Sequence, residues 1–92
     1  MFWRKKDHGP AIEKVVINLV STGLETGVLP FLSMKEAIQY AYSKEGDPAV
    51  DRDGTNVQCH AVIDGVYYNL SFRPHPEKGV YLTPVKYYDV EE

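Results

Sequence analysis

The sequence predicts a two-layer α+β fold with the element order α-α-β-β-β. Two N-terminal amphipathic helices are expected to pack on one face of a three-stranded antiparallel β-meander. Apolar residues recur at helical spacing in the first half of the chain and alternate with polar residues in the second half. The pair Asp64-Gly65, which lies between two alternating runs, is typical of a tight hairpin turn. Each helix has one apolar stripe that the apolar sheet face can cover.

Residues 56–73 predict the hairpin and its register. With Asp64 and Gly65 in the turn, Ile63 pairs with Val66. The further pairs on this apolar face are Ala61 with Tyr68, Cys59 with Leu70, and Val57 with Phe72. A shift of one residue would turn these side chains to the polar face, so the register is strongly specified.

The first helix is predicted to begin at Gly9-Pro10, because proline is favoured in a first turn. Gly23 or Gly27 is expected to end it in the left-handed conformation. Its apolar stripe consists of Ile12, Val15, Val16, Leu19 and Val20, widened by Ile17 and Leu24.

A capping box predicts the start of the second helix. In it, Ser33 and Glu36 bond to each other's backbone N–H groups. Gly46, followed by Asp47-Pro48, is expected to stop it. The predicted inward stripe consists of Met34, Ala37, Ile38, Ala41 and Tyr42. Tyr40 falls outside that stripe, so we expect it to be exposed.

The rest of the chain is interpreted as two connections and a third strand. Residues 28–32 are read as an apolar connector, and residues 47–55 as a polar loop. The third strand is placed at residues 80–85, where Pro84 marks an edge strand or a strand end. Its expected register pairs Phe72 with Val80 and Leu70 with Leu82.

Length and composition indicate a single domain covering residues 1–92. We expect the basic and aromatic arm 1–8 and the acidic tail 88–92 to fray. The formal charge of −3 argues against binding of duplex DNA. The one cysteine favours a reducing compartment, and no apolar run approaches the roughly 20 residues of a membrane span. These features predict a cytoplasmic protein.

The sheet face turned away from the helices, called the open face below, is the predicted partner-binding surface. Tyrosine and arginine, which carry much of the binding energy in protein interfaces, are frequent on it. The predicted binding residues are His60, Val62, Tyr67, Asn69, Arg73, Tyr81, Val85 and Tyr87. Within this set, Val62, Tyr67 and Val85 are expected to form an apolar spot, with Tyr81 near Arg73. The arm residues Phe2, Trp3 and Arg4 are predicted to assist.

No pattern of residues indicates catalysis, a metal or a cofactor. Cys59 and His60 are neighbours on one strand, so they point to opposite faces and cannot form a nucleophile–base pair. Neither His60 nor His75 has a carboxylate partner that is evident from the sequence. The acidic run 51–54 fails as a calcium loop, because Ala49 and His60 fall on its first and twelfth ligand positions.

We therefore predict a small, soluble, non-enzymatic module that binds another protein, as a regulator or inhibitor, or binds itself as a homodimer. One alternative is binding of single-stranded nucleic acid through the sheet aromatics. Another is a homodimeric structural or accessory protein. A carboxylate beside His60 or His75 in a pocket would instead favour an enzyme.

Overall fold

The computed structural model describes residues 8–90 and has two helices and a five-stranded antiparallel sheet. The elements are α1 (Gly9–Thr22), β1 (Gly27–Leu29), α2 (Met34–Lys44), β2 (Ala49–Val50), β3 (Val57–Ile63), β4 (Val66–Pro74) and β5 (Val80–Asp89). The strand order is β1-β5-β4-β3-β2. The α+β class is as expected, but the predicted α-α-β-β-β order with a three-stranded meander is wrong. One additional strand lies between the helices and another precedes the hairpin.

The β3–β4 hairpin has the predicted turn and the predicted register. Asp64 and Gly65 have φ angles of 52° and 76°, which agrees with a type I′ turn. Residue pairs run from Ile63 with Val66 to Val57 with Phe72. The odd-numbered residues of β3 are buried under the helices.

The two short strands were hidden in segments that the sequence reading assigned to connections. Residues 27–29 form β1 and pair with residues 80–82 of β5, while Ala49 and Val50 form β2 beside Gln58 and Val57. Runs of two or three residues are too short to show a period of two. The sheet therefore has five strands at one end but only β3, β4 and β5 at the end near the hairpin turn.

Strand β5 is longer than predicted, and its register differs by two residues. Phe72 pairs with Leu82 rather than Val80, and Leu70 pairs with Pro84 rather than Leu82. A shift of two residues keeps every side chain on its own face, so alternation alone cannot distinguish the two registers. Because β1 begins opposite Leu82 and does not extend to Pro84, Pro84 has a neighbouring strand on one side only.

One apolar core lies between the helices and the sheet. Each helix buries three side chains in it, which are Ile12, Val16 and Leu19 of α1 and Ala37, Tyr40 and Ala41 of α2. The stripe of α1 is narrower than predicted. Val20 is 39% exposed and Leu24 is 58% exposed, because α1 presents only one face to the sheet.

Tyr40 and Tyr42 have the opposite exposures to those predicted. Tyr40 is 7% exposed, whereas Tyr42 is 54% exposed. The Tyr40 hydroxyl donates to Glu13 Oε2 over 3.2 Å, and Lys44 Nζ lies 2.9 Å from the same oxygen. Burial, assisted by the Glu13 carboxylate, raises the pKa of Tyr40 well above its usual range. A hydrogen-bond partner from α1 thus lets the phenol enter the core, which spacing within α2 could not reveal.

Replacing the two tyrosines by alanine should separate their roles. We expect Tyr40→Ala to lower the free energy of unfolding by about 3–5 kcal/mol, as for other large buried aromatic residues. Tyr42→Ala should change it by less than about 0.5 kcal/mol, as for an exposed site. Urea denaturation measures both values, and equal effects would show that α2 is rotated from the orientation described.

Gly79 allows the chain to pass tightly beside the end of β1. Its φ angle is +89°, and a Cβ atom there would collide with the Leu29 carbonyl oxygen and lie 2.6 Å from Pro30 Cα. The obstacle is backbone, which cannot rotate away as a side chain can. Glycine is therefore required for β5 to start beside β1.

We expect Gly79→Ala to destabilise the fold by more than about 2 kcal/mol, since a left-handed non-glycine residue and overpacking each cost about 1–3 kcal/mol. The matched control is Gly46→Ala, where a new Cβ would meet nothing within 4 Å. Urea denaturation of both variants gives the comparison. Equal stability of the two variants would contradict the close approach.

Candidate binding surface on the open face

Four rings gather on the open face at the three-stranded end of the sheet. These are His60 of β3, Tyr67 of β4, and Tyr87 and Tyr88 of β5, called the aromatic cluster below. The ring centroids of His60 and Tyr67 are 5.6 Å apart with an interplanar angle of 7°, and those of Tyr67 and Tyr88 are 5.0 Å apart at 27°. Tyr87 tilts against His60 and Tyr67 with centroids 5.8 and 5.7 Å away. The result is a stacked row with a fourth ring laid against it.

A register irregularity in β5 brings both of its tyrosines into this cluster. Tyr68 pairs with Lys86 and Tyr67 pairs with Tyr88, so Tyr87 is an additional residue on the β5 side. Such bulges redirect side chains and increase the local twist of a strand. Beyond the irregularity, the Val90 N–H donates to the Gly65 carbonyl over 2.8 Å and ties the end of β5 to the turn.

Glu45, the residue that ends α2, attaches to the cluster from the side of β3. Its Oε1 accepts the backbone N–H of His60 over 2.7 Å and lies 3.2 Å from His60 Nδ1. The second oxygen, Oε2, lies 3.3 Å from the same ring nitrogen. Because β2 begins opposite Gln58 and does not reach His60, this carboxylate takes the place that another strand would have beside His60.

The same contacts set the electrostatics of the cluster. The backbone N–H of His60, assisted by its ring, lowers the pKa of Glu45, which keeps this carboxylate ionised. Loss of hydration, followed by the proximity of Tyr88, Glu45 and Tyr87, raises the pKa of Tyr67. Tyr67 is therefore a neutral phenol near the negative charge of Glu45.

The remaining predicted residues at this end lie beside the cluster. Val62 is opposite Tyr67 and is 53% exposed. Val85 is 45% exposed but lies opposite Asn69 rather than Tyr67, because of the two-residue register difference. The predicted apolar spot of Val62, Tyr67 and Val85 is thus replaced by a spot in which Tyr88 faces Tyr67.

Arg73 and Tyr81 form a separate group at the five-stranded end. The Arg73 guanidinium lies 5.4 Å from the Tyr81 ring centroid, and the His75 ring is 4.8 Å from it. His75 Nδ1 also accepts the backbone N–H of Glu77 over 3.1 Å. Arg73 is about 20 Å from Tyr67 along β4, at about 3.4 Å per residue. The eight predicted residues therefore divide into two groups on one face, while Phe2, Trp3 and Arg4 lie outside the described residues.

The outer edges of the sheet at this end are protected against pairing with another strand. On the β3 side, the backbone N–H of His60 already donates a hydrogen bond to Glu45. On the β5 side, the edge carries Pro84, which has no N–H, then Lys86 and the register irregularity. Proline, lysine and bulges are the usual means by which proteins keep edge strands from pairing. What remains accessible is the open face itself.

Sequence reasoning missed Glu45 and Tyr88. Glu45 is far from His60 along the chain, and only the return of the chain after α2 brings it to β3. Tyr88 was counted as part of the tail, because Pro84 was taken as the end of the strand. The adjacent Tyr87-Tyr88 pair gave no signal of the bulge, because the equally adjacent Tyr67 and Tyr68 lie on opposite faces of β4.

The Glu45–His60 pair supplies the carboxylate partner that the sequence did not reveal. Cys59 does not complete it, because its side chain is buried on the opposite face and burial raises its pKa to about 11. Within residues 8–90, no three His, Cys, Asp or Glu side chains gather as a metal-binding group. The pair holds the His60 ring and the His60 backbone N–H beside the aromatic cluster.

Comparison with known protein families, curated proteins and solved structures found no match for this chain. None of the helices in residues 8–90 is long and apolar enough to cross a membrane.

We expect Glu45 to stabilise the protein in a pH-dependent way. Its folded-state pKa lies below the usual 4.5, so its contribution is complete above that value and is lost as the pH falls through the folded-state pKa. Glu45→Gln should therefore be less stable than wild type at neutral pH and should approach wild-type stability as the pH falls through the lowered pKa of Glu45.

Urea denaturation across a pH series measures this difference. The control is Glu77→Gln, which removes a carboxylate at the opposite end of the sheet. A stability difference between wild type and Glu45→Gln that stays constant across the series would contradict the role given to the Glu45 charge.

Proposed function

We propose that this protein is a small non-enzymatic module that binds another protein through the aromatic cluster, acting as a regulator or inhibitor of a larger protein. The observation that carries the proposal is the gathering of four rings on the surface. Tyr87 and Tyr88 are 51% and 57% exposed, so these two large aromatic side chains are accessible to a partner. Buried tyrosines at interfaces contribute large contact areas and a polar hydroxyl at a low cost in side-chain entropy.

The mutual packing of the rings supports a binding role. The rings of His60, Tyr67 and Tyr88 stack on one another, and Glu45 accepts a hydrogen bond from the His60 backbone N–H. A surface that is ordered before binding loses little conformational entropy when a partner arrives. Val62 and Val85 add exposed apolar area beside the rings.

The protected edges favour binding by the face over strand addition. A homodimer made by pairing β3 or β5 with another copy would have to displace Glu45 or accommodate Pro84. A partner that rests on the rings meets neither obstacle. The setting we propose is the cytoplasm, since the one cysteine of the chain is a buried free thiol.

Binding of single-stranded nucleic acid is favoured by one observation, the stacked row of rings, on which bases could stack. The charge at the same end opposes it. Glu45 touches the cluster, and Lys86 is engaged with Asp89 at 3.3 Å. The arginine of the open face lies at the other end, over Tyr81. Within residues 8–90, phosphates therefore lack a free cation beside the rings, and protein binding is the better proposal.

Substitution of the cluster should remove partner binding without unfolding the protein. We expect an immobilised wild-type protein to retain a specific protein from an extract of the source organism, and Tyr67→Ala and Tyr88→Ala to lose it. After purification of that protein, its dissociation constant should rise at least about tenfold in either variant, as for interface hot spots.

Tyr42→Ala is the matched control, because it removes an exposed tyrosine on α2. Cooperative urea unfolding verifies that each variant is folded. Unchanged affinity in folded Tyr67→Ala and Tyr88→Ala would overturn the proposal. A wild-type mass of about twice 10.4 kDa that returns to the monomer value in these variants would identify the partner as a second copy.

A further inference from the structure

We propose, building on the function given above, that the aromatic cluster recognises an arginine side chain of the partner protein. The feature that assigns this ligand is the juxtaposition of the Glu45 carboxylate with the stacked rings of His60, Tyr67 and Tyr88. A guanidinium group that lies against the exposed rings can donate hydrogen bonds to the carboxylate and to the phenol oxygens.

Several groups at this place attract a cation. The faces of tyrosine rings are electron-rich and bind cations within about 6 Å of the centroid. The hydroxyls of Tyr67, Tyr87 and Tyr88 have no hydrogen-bond partner among residues 8–90, so their oxygens remain available as acceptors. Glu45 Oε2 lies 3.3 Å from His60 Nδ1 and has further acceptor capacity.

Elsewhere the protein supplies such cations from its own chain. Arg73 lies over Tyr81 and Lys44 lies over Tyr40, each 5.4 Å from the ring centroid. In the part of the chain that the structure describes, no lysine or arginine lies over the rings of Tyr67, Tyr87 or Tyr88. The nearby Lys86 is directed to Asp89. Residues 8–90 therefore leave these rings open to a cation from another molecule.

Arginine fits the site better than lysine. Its planar guanidinium can stack on a ring and at the same time donate in a fork to a carboxylate, whereas an ammonium group acts as a compact, strongly hydrated charge. Asp64, which is exposed at the same end of the sheet, adds negative charge that draws a cationic side chain towards the cluster.

The experiment is a titration of the full-length protein with an oligoarginine peptide whose ends are blocked, observed through the ring signals of the tyrosines by NMR. We expect the signals of Tyr67, Tyr87 and Tyr88 to shift while those of Tyr42 do not. Oligolysine of the same length should bind more weakly. Tyr67→Leu and Glu45→Gln should each lower the affinity for oligoarginine about three- to tenfold.

Glu77→Gln is the charge-matched control, because it removes the same charge as Glu45→Gln at the opposite end of the sheet. It should leave the affinity for oligoarginine unchanged. If Glu45→Gln and Glu77→Gln lower the affinity for oligoarginine equally while Tyr67→Leu leaves it unchanged, net charge explains the binding and the proposal is overturned. Stronger binding of oligothymidylate than of oligoarginine at the same rings would also overturn it, in favour of nucleic acid.

The assignment of arginine as the ligand can fail while the proposed binding surface stands. If capture of the protein partner depends on Tyr67 while oligoarginine shifts none of the three tyrosines, the binding surface stands and the arginine assignment fails. If capture does not depend on Tyr67, the binding surface itself fails. Glu45→Gln retains all four rings, so it still tests the arginine assignment if Tyr67→Leu does not fold.

Discussion

The alternation of the β3–β4 hairpin is the constraint on which the rest of this structure depends. The type I′ turn at Asp64 and Gly65 fixes one register, and that register directs every second side chain towards the helices. The same choice directs His60 and Tyr67 to the open face. The core and the candidate binding surface are therefore two sides of one pairing, so a shift of one residue would destroy both.

The unequal width of the sheet decides where the binding surface forms. Because β1 and β2 are short, only three strands reach the hairpin turn, and the outer edges there need other protection. Glu45 and Pro84 provide it without covering the face. The bulge in β5 has two effects, since it makes the edge irregular and brings Tyr87 and Tyr88 together beside Tyr67. Protection of the edges and exposure of the rings thus arise from the same local features.

The sequence was sufficient to predict the structure of those segments that carry a strong local pattern. The hairpin register, the start of α1, the capping box of Ser33 and the α+β class all follow from local chemistry. The sequence was insufficient to predict side-chain positions that depend on a contact between distant segments. The burial of Tyr40 depends on Glu13 of another helix, and the support of His60 depends on Glu45. The β4–β5 register is ambiguous in steps of two, because alternation repeats with that period.

The most direct test of this account is a proton NMR measurement of contacts between the rings of the aromatic cluster. The account predicts nuclear Overhauser effects between the ring protons of Tyr67 and Tyr88, and between those of Tyr67 and His60. Together they would establish the β5 register, the bulge and the stacked row. Contacts from the Tyr67 ring to the Val85 methyl groups, with none to Tyr88, would contradict it, because they would require the register without the two-residue shift and bulge.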